Sequence, residues 1–150
     1  MPQETPYALV SAVVDVQEAS KRELVRLTRR LERAAMEHRP SAVAATLQDA
    51  RYLTDRTRAV YAELAAGGAA ARLHARGLQS WLAPGVTGVC LDDDDPLVDE
   101  GTVVLPGRNA VVFAATDLGN TDCDDDDRCF RYGISSDPAI VDGCGRLLGI

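Results

Sequence analysis

The sequence predicts an α+β chain in which an N-terminal long antiparallel helical hairpin, with a short third helix, precedes a small, mainly antiparallel β domain. Three observations predict it. Residues 6–38 and 41–66 each run without an internal glycine or proline and carry apolar residues at helical spacing. From Val86 the pattern changes to short runs rich in β-branched residues, separated by turn residues. The charge changes sign at the same place: residues 1–83 hold 12 Lys/Arg against 9 Asp/Glu, and residues 84–150 hold 4 against 14. The expected units are therefore 1–83 and 84–150.

The first helix starts at Thr5-Pro6, a hydroxyl cap followed by proline in the first turn. Leu24, Leu27, Leu31 and Ala34 form its stripe, and Ser20 with Glu23 matches a capping box. The β-branched stretch 9–16 fits a strand as well as a helix, so the helix is firmest from Ser20. Pro40-Ser41 stops this element and caps the next, whose stripe runs through Val43, Leu47, Ala50, Leu53, Thr57, Val60 and Leu64 to Gly67-Gly68. A connection this short folds the two helices back antiparallel. At about 1.5 Å per residue they outreach a 67-residue β unit. The apolar stripe of Leu24, Leu27, Leu31, Leu47, Leu53, Val60 and Leu64 is thus expected at an oligomer interface. A third helix, 69–82, ends on Trp81, expected as a core plug between the halves. Val86–Leu91, Thr102–Leu105, Ala110–Ala115, Cys129–Ile134 and Arg146–Ile150 read as strands, with Pro106–Asn109 as a hairpin turn.

Function is constrained mainly by exclusion. The seven aromatic residues leave an interior built from Ala, Val and Leu. No stretch approaches the roughly 20 apolar residues of a membrane span, and the opening Met1–Pro6 lacks a secretory layout, which suggests synthesis in a cytoplasm. Cys90, Cys123, Cys129 and Cys144 all fall in the second half and are disulfide candidates, with reduced buried thiols as the alternative. Zinc needs closer ligand pairs than gaps of 32, 5 and 14 residues provide. Calcium through Asp122, Asp124 and Asp126 is the one metal considered: the run supplies hard oxygen ligands, but both registers of the helix-loop-helix pattern fail where Gly and Glu belong. A solvated acidic loop tip is the plainer account.

No histidine lies in the acidic half to serve a nucleophile, and Ala115–Gly119 departs from an aspartyl-protease turn in its middle residue. Gly67-Gly68 lacks the sequence of a phosphate-binding loop. No catalytic residue is assigned. The arginines of the first helix are interspersed with glutamates, as in Glu18 with Arg22, and read as a salt-bridged exposed face. The expected function is a non-enzymatic structural or assembly protein, of the kind a phage capsid or tail uses, that oligomerises or docks through its helices. A calcium-dependent binding module using the Asp122–Asp127 loop is the alternative. No cofactor other than calcium, and no nucleic-acid, membrane or small-molecule partner, is expected.

Overall fold

A computed structural model describes residues 4–150; residues 1–3, part of the stretch examined for a leader, lie outside the described residues. Among the described residues there are four helices, α1 (Pro6–Ser11), α2 (Lys21–His38), α3 (Asp55–Ala66) and α4 (Pro138–Leu147). Its strands are β1 (Gln17–Ser20), β2 (Ala42–Asp49), β3 (Ala70–Arg76), β4 (Trp81–Ala83), β5 (Val86–Cys90), β6 (Glu100–Leu105), β7 (Val111–Asp117) and β8 (Cys129–Ser135). They form one mixed sheet in the order β1-β8-β7-β6-β2-β3-β5-β4. The pairs β2–β3 and β3–β5 are parallel and the others antiparallel. Helix α3 is the crossover between parallel β2 and β3, as a parallel pair requires.

The long helical hairpin is absent. Its first arm is divided into α1, β1 and α2, and its second into β2, a 3₁₀ turn at Ala50–Tyr52 and α3; the expected third helix is β3 and β4, and the expected closing strand is the end of α4. The physical reason is sheet burial on both faces. Ala42-Val-Ala-Ala-Thr-Leu47 lies in a central strand covered above and below, and such strands are continuously apolar instead of alternating. Alanine-rich continuity satisfies a helical stripe by default. Local chemistry was read more faithfully. Thr5 caps α1, accepting from Ala8 N at 3.1 Å, and Ser20 caps α2, accepting from Glu23 N at 3.3 Å. The hairpin at 106–109 joins β6 to β7.

Helices α2 and α3 cover one face of the sheet and α1 and α4 the other. Along β6 and β7 the residues alternate accordingly. Val104, Val112 and Ala114 meet Val10, Val141, Cys144 and Leu148 on the α1/α4 face, whereas Phe113 and Ala115 meet Leu24 and Phe130 under α2. The residues expected at an oligomer interface are used within the chain. Leu24 and Leu64 are buried, and Leu27, Leu31, Leu47, Leu53 and Val60 pack against the same core. The coiled coil is therefore replaced by helices laid on a sheet. Strands from both sides of position 83/84 share that sheet, β4 pairing with β5 across it. Trp81, on this edge, is 67% exposed instead of plugging a core.

Candidate functional site

Between α2 and the sheet lies a cavity of about 350 Å³, a volume within the usual range for small-molecule sites. Its walls are apolar where Leu24 and Val25 of α2 face Ala45, Val103, Phe113 and Ala115 of the strands. Gly101 contributes open space: a Cβ added there would meet no atom within 4 Å. At the inner end stands Tyr61 of α3, fully buried, with no partner at normal hydrogen-bond geometry for its hydroxyl. Its polar neighbour is Glu32 of α2, which also lines the cavity. Burial pushes the Glu32 carboxyl above its ordinary range, partly offset by the tyrosine and by Arg56 and Arg29. Burial also raises the Tyr61 phenol well above its usual value, and the charge of Glu32 and a long hydrogen bond to it add to this. A buried hydroxyl without a close partner is costly, which leaves Glu32 as the group that Tyr61 can turn to.

The other end of the cavity is charged and partly exposed, formed by Lys21, Arg51, Tyr52 and Asp126. Three donors converge there on Asp125: Lys21 Nζ, Tyr52 Oη at 2.8 Å and Arg128 Nε at 2.9 Å. Lys21 also stands 3.4 Å from the centre of the Tyr52 ring. Arg128 donates through Nη1 to Asp117, and through Nη2 to Tyr52 Oη at 3.1 Å and Gln48 Oε1 at 3.4 Å. Gln48 Nε2 in turn donates to Asp117 Oδ2 at 3.3 Å. The backbone explains how Gln48 reaches them. Between Thr46 and Asp49 the β2–β3 register shifts, and Gln48 takes a left-handed φ of 67° while buried. A bulge of this kind re-aims a side chain, and it turns Gln48 onto the face of Asp117 and Arg128. Burial tends to raise the Asp125 pKa, but hydrogen bonds from Lys21 and Tyr52 and the charges of Lys21 and Arg128 outweigh it and hold the carboxyl at about 2. Burial lowers the pKa of Lys21, against the pull of Asp125.

The acidic run singled out in the sequence faces cations of the chain itself. Asp122, Asp124 and Asp126 are exposed, and among the described residues no group of three His, Cys, Asp or Glu side chains could hold a metal ion. Asp126 faces Arg22 at 4.0 Å, and Asp127 pairs with Arg22 at 3.1 Å. Glu18, expected to pair with Arg22, bonds Arg131 across β1 and β8 instead. The disulfide expectation is also corrected: Cys90, Cys123 and Cys129 are exposed free thiols, and Cys144 is a buried one. Burial, with the charge of Glu100, pushes the Cys144 thiol up to about 11, so it packs as a small apolar side chain. Arg128, which the sequence offers as a cation to offset the aspartates, does pair with Asp125, but Lys21, Gln48, Tyr52 and Tyr61 were missed, because a site assembled from separate elements leaves no local spacing to read. The one signal available was Lys21 itself, the only lysine of the chain.

No protein-family model matches the sequence, and no curated protein matches it either. Solved structures do share the fold. The archaeal chromatin protein TrmBL2, described as showing a novel mode of DNA binding, superposes with a TM-score of 0.54 at 10% identity, over 91% of this chain and 51% of that one. Polyphosphate kinase from Porphyromonas gingivalis superposes with a TM-score of 0.56 at 14% identity, over 98% of this chain and 26% of that one. This chain thus spans about half and about a quarter of its neighbours' lengths. The likeness concerns the fold, and neither neighbour supports a phage-particle context. The expectation of assembly partners without nucleic acid is withdrawn on the same comparison: the fold occurs in a chromatin protein that binds DNA. No helix among the described residues is long and apolar enough to cross a membrane.

Proposed function

We propose that this chain is a small-molecule-binding module whose ligand occupies the cavity between α2 and the sheet. The observation that carries the reading is the fully buried Tyr61, whose hydroxyl has no partner at normal hydrogen-bond geometry and only Glu32 to couple to, on the wall of a 350 Å³ space. A structural core closes over its polar groups or excludes them. Here a tyrosine hydroxyl and a carboxyl are held at a void bounded by apolar walls, the mixture that fixes a ligand's orientation while burying most of its surface. The position fits the fold as well. The polar end lies beyond the carboxyl end of β2, and ligands of α/β sheets collect at the carboxyl ends of parallel strands.

The DNA binding described for the chromatin neighbour belongs to a chain about twice as long as the segment it shares with this one. The cavity is built wholly from residues of this chain and supplies the more specific reading. A thermal-shift screen of small polar metabolites tests it, with Gly101→Val as the control that fills the void. Compounds that stabilise the wild-type protein and leave Gly101→Val unmoved support the module. A screen in which every stabilising compound acts equally on both proteins overturns it.

A further inference from the structure

Asp125 differs in kind from the groups that hold it. The loop 118–127 is exposed throughout, its 3₁₀ turn at Asp125–Asp127 buries no residue, and the side chain of Asp124 does not cap that turn. The Asp125 side chain is 47% exposed, against 16% for Lys21 and 15% for Arg128. The donors are anchored without it: Lys21 lies over the Tyr52 ring, and Arg128 is held by Asp117, with Gln48 at its second nitrogen. The start of the loop is held by Leu118 N on Cys129 O and by Cys129 N on Asn120 Oδ1, whereas its end is fastened through charges, by Lys21 and Arg128 on Asp125 and by Arg22 on Asp126 and Asp127. Exposed ion pairs of this kind contribute little to stability and weaken with salt. Segments with few buried contacts open at low cost.

Resting on the cavity reading, we propose that the ligand of this module carries an oxyanion head group, a carboxylate or a phosphate, that takes the place of the Asp125 carboxylate on Lys21, Tyr52 and Arg128. In the free protein Asp125 acts as a built-in competitor at the mouth. Three donors preset around one carboxylate suit another oxyanion, because charge-assisted hydrogen bonds from Arg and Lys are stronger than neutral ones and their geometry is already formed. Lys21 and Tyr52 also line the cavity, so a head group seated on them leads its tail towards Tyr61.

Calorimetric titration with sodium phosphate, and separately with sodium propionate, at constant ionic strength tests this. In Asp125→Ala at least one of the two anions binds tenfold or more tighter than in wild type, and the arm that responds identifies the oxyanion. The gain is absent from Asp124→Ala, which removes an equal charge from the same loop, and is lost in the double variant Asp125→Ala/Lys21→Met. Asp125→Asn, which keeps the side-chain shape, gives a gain of the same sign should the alanine variant fold poorly. Equal affinities in wild type and in both Asp125 variants overturn the proposal, as does a gain that survives Lys21→Met. These anions need only the mouth, so the two readings fail separately. No gain alongside metabolites that Gly101→Val excludes removes the head-group assignment alone. A gain without any such metabolite removes the cavity reading and leaves an anion site.

Discussion

The two faces of the sheet are built from the same short alphabet of Ala, Val and Leu, yet one is closed and the other is not. Under α1 and α4, Val10, Val104, Val112, Val141, Cys144 and Leu148 have no exposed surface. Under α2 and α3, Tyr61 is equally buried but stands at a cavity, its hydroxyl without a partner at normal hydrogen-bond geometry. Closure on the first face comes from side chains that leave no room for one another. Openness on the second comes from Gly101 and the alanines 45 and 115 facing a helix that bears its bulk elsewhere. The lesson is that composition sets how much apolar surface a face offers, and side-chain size at a few positions sets whether it closes.

Truncation breaks the comparison most severely. Leu148→Ala empties a fully buried site and should cost about 2–5 kcal/mol. Val25→Ala, which only widens existing space, should cost about 1 kcal/mol or less. Urea unfolding of both variants measures the difference; similar costs would mean that the second face is also closed.

Adding a methyl group sharpens the comparison at smaller amplitude. A Cβ on Gly133 would lie 2.7 Å from Val14 Cγ2 and 2.9 Å from Val10 Cγ1, so Gly133→Ala should destabilise by about 1–3 kcal/mol. Gly101→Ala meets nothing within 4 Å and restricts the unfolded chain, so it should stabilise by about 0.4–1 kcal/mol. Opposite signs for the same substitution in two strands of one sheet, β8 and β6, would show the asymmetry directly.

Glu32 gives the next test. Its pKa is raised, so the folded state holds this proton more tightly than the unfolded chain, and the ionised carboxylate is a penalty at neutral pH. Glu32→Gln should raise the melting temperature by a few degrees at pH 7. That gain should fade below about pH 4, where the group is protonated in both states. Tyr61→Phe, which removes the poorly partnered hydroxyl, should be neutral to stabilising in the free protein while weakening ligand binding. A loss of stability in both variants would mean that these groups serve the fold and not an occupant.

Legibility from sequence followed the range of the interaction. Caps and turns were readable, because Thr5, Ser20 and the 106–109 hairpin act within a few residues. The fold class was not, because β2 is buried on both sides and its Ala-Val-Ala-Ala run satisfies either period. The site was hidden for a further reason. Lys21 and Asp125 are 104 residues apart, and Gln48 and Arg128 are 80 apart. Only the sheet order, with β8 two strands from β6 and β6 beside β2, brings them together. The acidic run and its neighbour Arg128 were visible, but the pairing with Lys21 and Arg22 was not, since those cations sit on α2.

Asp125 carries the smallest expected effect and tests this last point. Its folded pKa of about 2 lies below the ordinary 3.8, so its interactions stabilise the fold at pH above the ordinary value. That contribution should be lost as pH falls through the interval from about 4 to 2. Asp125→Asn should therefore melt slightly below wild type at pH 6, by no more than about 1 kcal/mol for so exposed a group, and the two should converge near pH 2. Raising salt at pH 6 should narrow the difference in the same direction, because it screens the pairs that protonation removes. A gap between the variants that persists at pH 2 and in high salt would locate the cost in the side chain's packing, and the loop would then be a fixed part of the wall instead of a charge laid over an opening.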